Sequence, residues 1–571
     1  MKDCTRGCKG CRTSWRWAAL MLGAVACLLA AAAAQAADPP RVTVSGVVRR
    51  ADSGEPLARV LVRLDGDAST GALTDENGRF EIPGVAAGPQ LFEVMKPGFL
   101  DTAFAAAAAG GPDARSSGAH NVIVAPGMAD LTFTLARANS IRGQVQLSTG
   151  DRADGIPIHL LKRTIENGRA EWQIAASTRT NSEGRYRFGG LSNGSYAVYS
   201  DSVMDSDPAT DLVEPGSARN VARSGYPGQF YPSATDLSSA ARIQLQGGDD
   251  AEANLSLALE PFYTVTASVP ATGTRGTALT ATVLDAQGHA LSYPAQYDAT
   301  THTVQAILPD GSYSLRVNEL STQPPLAALG SAPLAGSVDF AVAGHAVSNL
   351  RIPMTQKHTL PVAVEWMRSA SGTMPTGHTA VLVLLSEAGE GLHDGMVTAF
   401  AQGSWSGPLR TSAMPSGSYW VHTNISSKTL CEASFTAGST NLGREPLRIR
   451  PDGSGAPLTL TLRDDCASLT LALPGGLAVP SPGEEPYYTV YAVPDFDSTV
   501  DVIPLTLRPS TGGSVTLQGL TPGSYHVYAF DRPVALEYRN RNVLAALPHQ
   551  GQAVTLSPGM QSNLVLEALS H

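Results

Sequence analysis

The stretch Leu191-Ser192-Asn193-Gly194-Ser195-Tyr196 decides the fold, because close copies of it return along the chain at nearly constant intervals. Each copy follows a short apolar segment and ends in Gly-x-Tyr. Three further copies run from Leu308 to Tyr313, from Met414 to Tyr419 and from Leu520 to Tyr525. A fifth, degenerate copy runs from Val85 to Gln90 and has glutamine in place of the tyrosine.

The interval between copies gives the size of the repeating unit. The glycines of successive copies are 106, 117, 106 and 106 residues apart, which is the length of a β-sandwich domain and far longer than a solenoid repeat. We therefore predict five similar modules in series. Their predicted bounds are 41–137, 138–260, 261–356, 357–463 and 464–571.

Alternating apolar and polar residues flank each copy, as in strands with one buried face. Val515 and Leu517 lead into the last copy, and Val527 leads out of it. We interpret each copy as a hairpin turn in which glycine supplies backbone freedom. One more apolar strand closes each module, at 131–135, 255–259, 350–354, 458–462 and 564–566. The prediction is an all-β tandem array of about five Ig-like β-sandwich domains, arranged as a rod or a bent chain.

Residues 1–36 have the three parts of a secretory signal peptide. Five basic residues precede or border an apolar run from Trp17 to Ala34, and the small-residue site Ala34-Gln35-Ala36 follows. We expect cleavage after Ala36 and a secreted, periplasmic or cell-surface location. A lipid-anchored start at Cys27 is the alternative, although the apolar run continues past that cysteine.

The charge of the chain argues against two classes of partner. The whole chain has a net charge of −10, and loss of the basic leader would take it to −14 with only four lysines remaining. A mildly acidic surface without basic clusters in the sequence argues against nucleic acid and anionic membranes as partners. No segment after the leader is long and apolar enough to span a bilayer, so we expect no membrane span in the mature chain.

Cysteine usage agrees with export. Four of the six cysteines lie in the leader, which leaves Cys431 and Cys466 in the mature chain. In an oxidising compartment this pair is suited to a disulfide, which would fix the orientation of modules four and five. Two buried free thiols are the alternative.

The first module carries the motifs of a known family. It opens with Val44-Ser45-Gly46-Val47-Val48, continues through Thr74-Asp75-Glu76-Asn77-Gly78-Arg79-Phe80 and has Lys96-Pro97-Gly98-Phe99 near its end. These motifs resemble the carboxypeptidase regulatory-like domain, a transthyretin-like β-sandwich of carbohydrate-binding-like fold. The resemblance implies an accessory, non-catalytic role, because the zinc ligands of the carboxypeptidases belong to a separate domain that has no counterpart here.

The second module is similar to the first. It contains Thr180-Asn181-Ser182-Glu183-Gly184-Arg185-Tyr186, in which Asn181 replaces the usual aspartate. Modules three to five keep mainly the Gly-x-Tyr turn and the closing strand. The resemblance is therefore specific over about residues 40 to 200 and weaker beyond them.

One catalytic pattern occurs in the sequence. Gly190-Leu191-Ser192-Asn193-Gly194 has the spacing of the Gly-x-Ser-x-Gly nucleophile elbow. That elbow requires a strand-to-helix turn in an α/β sheet, whereas Ser192 lies in a predicted hairpin, so we interpret this serine as structural. The twelve histidines are dispersed and lack zinc-ligand spacing. We predict no enzyme activity, no metal and no cofactor.

Tryptophans are the candidate ligand-binding residues, because sugar rings stack on aromatic faces. Trp420 follows Tyr419, which we expect to face the core, so strand alternation places Trp420 on the opposite face. Trp405 is near in sequence and would complete a platform for a ligand. Packing at the surface or between modules is the alternative for both tryptophans.

These observations predict a non-catalytic, exported, multi-domain binding or scaffold protein whose partner is an envelope or extracellular protein or a glycan. The alternative is a carbohydrate-binding protein that uses exposed aromatics, with Trp405 and Trp420 as candidates. A third hypothesis, a hydrolase, rests only on Ser192.

Overall fold

The computed structural model describes most of the chain after residue 39. The described ranges are 40–101, 119–205, 223–270, 279–285, 290–319, 334–356, 360–367, 381–387, 397–401, 409–410, 417–425, 429–450, 455–474, 483–484, 488–508, 512–531 and 534–566. The predicted signal peptide, residues 1–36, lies outside these ranges. Apart from one short helix, the regular secondary structure of the described part consists of β-strands, as predicted.

The first module is a β-sandwich. Its strands are β1 (Arg41–Arg50), β2 (Leu61–Leu64), β3 (Asp67–Leu73), β4 (Arg79–Ala86), β5 (Gly88–Met95), β6 (Phe99–Asp101), β7 (Ala119–Val124) and β8 (Leu131–Arg137). One sheet has the order β4-β1-β8-β6, and the other contains β3-β2-β5-β7. Phe133 of the first sheet and Phe92 of the second are buried with ring centroids 6.3 Å apart, so the two sheets share one core.

The second module has the same two-sheet plan. Its strands are β9 (Asn139–Leu147), β10 (Pro157–Glu166), β11 (Arg169–Arg179), β12 (Arg185–Leu191), β13 (Gly194–Ser200), β14 (Val203–Met204), β15 (Arg223–Tyr226), β16 (Gln229–Phe230), β17 (Ile243–Leu245), β18 (Asp250–Glu252) and β19 (Leu255–Leu257). β12, β18 and β19 flank β9 in one sheet, and the other has the order β11-β10-β13-β16. Ile141 and Tyr196 pack between them, and a smaller cluster around Trp172 and Phe230 covers the outer face of the second sheet.

One sheet of the third module also contains strands from the second module. Its own strands are β20 (Glu260–Ser268), β21 (Leu279–Leu284), β22 (Ala290–Leu291), β23 (Ala295–Asp298), β24 (Thr303–Leu308), β25 (Gly311–Glu319), β26 (Leu334–Val342), β27 (Val347–Arg351) and β28 (Thr355–Gln356). One sheet has the order β14-β15-β20-β24-β23, so it contains two short strands from the second module, and the other has the order β22-β21-β25-β26-β28. Phe262 and Leu315 lie in the shared core.

The fourth module contains β29 (Pro361–Met367), β30 (Val381–Glu387), β31 (Val397–Ala401), β32 (Leu409–Arg410), β33 (Gly417–Ile425), β34 (Cys431–Ala437), β35 (Thr440–Asn441), β36 (Leu447–Ile449) and β37 (Leu458–Arg463). Its sheets have the orders β32-β29-β37-β34-β35 and β31-β30-β33-β36. Tyr419 of β33 and Leu460 of β37 are fully buried between them.

The fifth module contains β38 (Ala467–Ala472), β39 (Gly483–Glu484), β40 (Tyr488–Pro494), β41 (Leu505–Leu507), β42 (Ser514–Leu520), β43 (Gly523–Phe530), helix α1 (Arg541–Ala545), β44 (Gln552–Leu556) and β45 (Gln561–Val565). Its sheets have the orders β42-β38-β45 and β41-β40-β43-β44. A second apolar cluster, which includes Tyr528 and Tyr538, covers the outer face of the latter sheet. Within the described ranges, no helix is long and apolar enough to cross a membrane.

All five modules share one connectivity. In each module the first strand runs parallel to the predicted closing strand, in the pairs β1–β8, β9–β19, β20–β27, β29–β37 and β38–β45. The strand after each Gly-x-Tyr turn belongs to the opposite sheet. The repeated sequence motif therefore reflects a repeated strand order. The five closing strands occupy the same place in that order in every module.

The interpretation of the Gly-x-Tyr turn as a hairpin was wrong. The strands before and after the turn, such as β12 and β13, belong to different sheets, so the turn is a corner between the two layers. The Tyr196 hydroxyl donates to the Ser192 carbonyl at 2.9 Å, and the Tyr525 hydroxyl donates to the Thr521 carbonyl at 2.7 Å. This is the geometry of the tyrosine corner of Ig-like sandwiches, and it explains why tyrosine recurs at this position.

The chain bends back on itself. β39 of the fifth module pairs antiparallel with β7 of the first module, where Gly483 lies opposite Ile123. The turn between β10 and β11 of the second module reaches the fourth and fifth modules, as described below. Of the two predicted shapes, the structure has the bent chain.

Candidate functional site at the junction of three modules

A long hairpin of the second module extends to the site. β10 and β11 pair from Pro157 to Glu166, whereas β10 pairs with β13 only as far as Lys162, so the hairpin tip projects beyond its sheet. The two turn residues, Asn167 and Gly168, have φ angles of 47° and 75°. An Asn-Gly pair favours this turn, because both positions require the left-handed region.

The hairpin tip docks on the fifth module. Gly168 lies against the Tyr538 ring so closely that an added Cβ would be 2.5 Å from it. The backbone N–H of Arg539 donates to the Gly168 carbonyl at 3.1 Å, and its Nε donates to the Asn167 carbonyl at 3.0 Å. Both the fold of the tip and its fit to Tyr538 therefore require glycine at position 168.

Arg539 joins the docked tip to a loop of its own module. Its Nη1 donates to the Ser498 carbonyl at 2.7 Å, and its Nη2 lies 3.1 Å from Oδ1 of Asp501. The same Asp501 oxygen is 2.8 Å from Nδ1 of His422 in the fourth module. The planar guanidinium can serve this many acceptors at once, which a lysine ammonium cannot. Arg539 is therefore the central polar contact of the junction.

Trp420 lies in this junction. It is half-buried, while its neighbour Tyr419 is fully buried in the core of the fourth module. The Arg169 guanidinium carbon lies 3.4 Å from the centre of the Trp420 ring, which is a close cation–π contact between modules two and four. One face of this ring is therefore occupied by protein. Trp405 lies outside the described residues, so the two-tryptophan platform stays a prediction.

The Arg169 charge is unfavourably placed. Its Nε is buried and has no hydrogen-bond partner among the described residues. Burial, and then repulsion from Arg539, lower the pKa of Arg169 to about 10. The contact with Trp420 offsets part of this cost.

A buried carboxylate joins modules four and five. Glu432 accepts hydrogen bonds from the Thr499 backbone N–H at 2.9 Å, from the Ser498 hydroxyl at 3.2 Å and from the Thr499 hydroxyl. The Thr521 hydroxyl donates to the Glu432 carbonyl. Burial raises the pKa of Glu432. These contacts make Glu432 the polar centre of the interface between these two modules.

The disulfide lies beside this carboxylate. Cys431 at the start of β34 is bonded to Cys466, which immediately precedes β38. The predicted pairing is therefore confirmed, and the free-thiol alternative is wrong. The bond ties β34 of the fourth module to the residue just before the first strand of the fifth.

Ser192 lies in a tyrosine corner and is buried, with 6% of its surface exposed. Its Oγ accepts a hydrogen bond from Lys162 Nζ at 2.9 Å and lies 3.2 Å from the Tyr196 hydroxyl. The lysine is itself buried, which lowers its pKa to about 8. These contacts satisfy buried polar groups, and the strand-to-strand corner differs from the strand-to-helix elbow of a hydrolase.

Sequence reasoning missed most residues of the junction. The Asn167-Gly168 pair is a strong hairpin signal that could have located the tip. Arg169, Arg539 and Glu432 carry no signal of their own, because their partners lie in other modules. Within the described ranges no group of three His, Cys, Asp or Glu residues could hold a metal.

Comparisons with known proteins identify a likeness for one module. None of the curated proteins searched matches the chain. Among solved structures, the Bacillus anthracis TIE protein is 11% identical, with 74% of this chain and 73% of that chain covered and a TM-score of 0.15.

Two further structures are those of the Streptococcus pneumoniae pilus protein RrgB and of two B repeat units of the collagen-binding protein of Staphylococcus aureus. RrgB is 10% identical and covers 76% of this chain and 98% of its own, with a TM-score of 0.14. The B repeats are 14% identical and cover 69% and 92%, with a TM-score of 0.14. At these values the likenesses carry no argument about this chain.

The family comparison is specific to the first module. Residues 43–135 match the carboxypeptidase regulatory-like domain. The match covers β1 to β8 almost completely, including the motifs from Val44 and from Thr74. The resemblance recognised in the sequence is thus confirmed for the first module, which is similar to carboxypeptidase regulatory-like domains.

Proposed function

We propose that this protein is a non-catalytic, exported scaffold whose modules are held in a fixed arrangement and bind an envelope or extracellular partner. The observation that carries the proposal is the three-module junction around Arg539. A hairpin from the second module is held by the fifth, and the Cys431–Cys466 disulfide holds the fifth to the fourth.

A fixed arrangement suits a scaffold, because binding surfaces on different modules then keep constant distances. Flexible linkers would instead make each module an independent binder, and simultaneous binding would depend on effective concentration. Here the modules are joined by strand sharing between the second and third, by hydrogen bonds and by a disulfide. The basic leader and the disulfide support export.

Export is tested by expressing the full chain in its host and fractionating the cells. We expect processed protein, cleaved after Ala36, in the periplasmic, surface or culture fraction. Uncleaved protein confined to the cytoplasm would contradict the proposal. The hydrolase hypothesis is tested separately with a panel of ester and peptide substrates, where activity lost in Ser192→Ala would overturn the non-catalytic assignment.

The fixed arrangement is tested by small-angle X-ray scattering of the mature chain. We expect one compact set of distances that a Gly168→Ala variant, in which the hairpin tip cannot dock, broadens. Partner binding is then measured with envelope fractions on immobilised wild type and variant. A partner bound equally by both would show that the module arrangement does not contribute to binding.

A further inference from the structure

A cleft of about 530 Å³ opens beside the docked hairpin tip. One side is formed by the tip and Trp420, and the other by the segment from Glu537 to Asn542 of the fifth module. Its charged and aromatic lining residues are Arg163, Arg169, Glu171, Trp420, Glu537, Arg539 and Arg541. The cleft is thus built from three modules and exists only in the assembled junction.

The lining is positively charged in an acidic protein. Four arginines and two glutamates line the cleft, whereas the chain as a whole has a net charge of −10. These arginines come from two widely separated segments, so the sequence shows no basic cluster. The fold therefore creates a local positive field, which attracts anions.

The neighbouring carboxylates are already engaged. Glu537 lies 2.8 Å from Nη2 of Arg163 and accepts from Asn540 Nδ2, also at 2.8 Å. Asp501 is shared by Arg539 and His422, as described above. Arg541 is 80% exposed and lies 3.6 Å from Asp497. Glu171 and Asp501 attract the Arg169 charge, but among the described residues neither carboxylate forms an ion pair with it. Arg169 and Arg541 are therefore only weakly compensated by the carboxylates of the protein.

The surroundings of Arg169 indicate that its guanidinium lacks a negatively charged hydrogen-bond acceptor. Its guanidinium contacts a ring face, its Nε has no hydrogen-bond partner among the described residues, and Arg539 repels it. An oxyanion in the cleft would place negative charge beside this guanidinium and would offer acceptor oxygens to its Nη groups, which are not among its buried atoms. Guanidinium groups match carboxylate and phosphate geometry, since two parallel N–H bonds can meet two oxygens.

We propose that the junction cleft binds an oxyanion, the carboxylate or phosphate group of a small ligand, with Arg169 and Arg541 as its principal donors. Trp420 positions Arg169 through its ring face, while Arg539 and Arg163 hold the walls of the cleft. This proposal goes beyond the scaffold function and does not depend on it, because the scaffold requires only the docked tip.

The experiment titrates the mature full chain by calorimetry at constant ionic strength, with chloride as the supporting anion. Sodium phosphate, glucuronate and glucose are the probes, so that a phosphate, a carboxylate on a sugar and a neutral sugar are compared. We expect saturable binding of phosphate, glucuronate or both, with one site per chain, and none of glucose. The anion that binds more tightly shows whether the cleft prefers a phosphate or a carboxylate group. Failure of both anions to bind overturns the proposal.

Variants locate the site. Arg169→Gln and Arg541→Gln should each weaken anion binding by about tenfold, as expected for loss of one charge-assisted contact. Arg351→Gln is the matched control, because Arg351 is an exposed arginine on β27 of the third module, which contributes no residue to the cleft, and the variant should bind as the wild type does. If Arg169→Gln undocks the hairpin tip, its weaker binding would not identify a contact with the anion. Arg541→Gln then decides the test, because Arg541 does not belong to the hairpin. Unchanged affinity in Arg541→Gln, with the tip still docked by hydrogen exchange, overturns the assignment.

Discussion

The Nε of Arg539 donates a hydrogen bond to the Asn167 carbonyl at 3.0 Å, across a separation of 372 residues. This bond joins the fifth module to the second. The other arginine nitrogens bind the 498–501 loop of the fifth module, so one side chain organises both sides of the contact.

Replacing Arg539 with lysine should therefore loosen the junction. A lysine can donate three hydrogen bonds from one point and cannot reach acceptors spread around a planar fork. We expect a loss of about 2 kcal/mol of docking free energy, which is the scale of charge-assisted hydrogen bonds. Hydrogen exchange should become faster at residues 167–168 and 498–501 together. Arg541→Lys, at an exposed position, is the control, and equal exchange in both variants would contradict the central role of Arg539.

Gly168→Ala tests the steric fit of the tip. Gly168 and Gly155 both belong to the second module and have φ angles of 75° and 72°, so alanine strains the backbone about equally at either position. An added Cβ at Gly168 would meet the Tyr538 ring, whereas one at Gly155 meets nothing within 4 Å. We expect Gly155→Ala to cost about 1 kcal/mol and leave the tip docked. Gly168→Ala should also undock the tip, which would be seen as loss of hydrogen-exchange protection at the Arg539 amide, the donor to the Gly168 carbonyl. Retained protection of that amide would contradict the fit described here.

Glu432 should make the interface between modules four and five sensitive to pH. Its pKa is raised by burial, so the protonated form favours the folded interface. This contribution is complete below the unfolded pKa of about 4.3 and is lost as pH rises through the folded pKa. Glu432→Gln imitates the protonated form, so its stability relative to wild type should increase from pH 4 to pH 7. Hydrogen exchange of residues 495–501 at both pH values measures this, and a constant difference would contradict it.

Truncation of Glu432 to alanine should instead destabilise the interface between modules four and five. Glu432→Ala leaves the Thr499 N–H and two hydroxyls without their acceptor in a buried place. We expect a loss of about 1–3 kcal/mol, the cost of unsatisfied buried donors. The amide glutamine keeps one acceptor oxygen, so the two variants should differ clearly.

Lys162 should also give a pH-dependent stability. Burial lowers its pKa to about 8, below the usual 10.5, so the charged form disfavours folding at neutral pH. That cost is constant below pH 8 and disappears as pH rises from 8 to about 10.5. Lys162→Met should therefore be most favourable relative to wild type at pH 7, with a smaller advantage at pH 10. Denaturant unfolding of both proteins at the two pH values measures the difference, and a constant difference would contradict the buried charge.

The disulfide should stabilise modules four and five together. Its cysteines are 35 residues apart, and closing a loop of that length stabilises by about 4 kcal/mol on the chain-entropy description. Calorimetry of the wild type with reductant should show a lower unfolding temperature for these two modules than calorimetry without reductant. Cys431→Ala/Cys466→Ala should show the same lowered transition with or without reductant. A transition of the oxidised protein that matches that of the variant would contradict the prediction.

The repeat made the architecture predictable, because glycine, tyrosine and strand alternation are local signals. The Gly-x-Tyr copies predicted a tandem array of β-sandwiches, which the repeated strand order confirms, and Cys431 and Cys466 are paired as expected. The role of the tyrosine was missed, because a corner between sheets and a hairpin within a sheet require similar turn residues. Only the pairing of β12 with β9, and of β13 with β10, distinguishes them.

The candidate site was largely beyond sequence reasoning. Trp420 was selected as an aromatic on the outer face, but the arginine on its ring comes from another module. Nothing in the local sequence around Arg169 or Arg539 records a partner hundreds of residues away. Contacts of this kind follow from the relative placement of folded modules, which periodicity does not encode.

The pairing of β39 with β7 has a consequence for synthesis. β39, which pairs with Val122 and Ile123 of β7, is synthesised only after the first four modules. Until then Val122 and Ile123 lack their β39 partners, and unpaired backbone groups at a sheet edge invite pairing with another chain. A chain truncated after residue 463 would lack this pairing permanently, so the last module protects part of the β7 edge of the first against pairing with another chain.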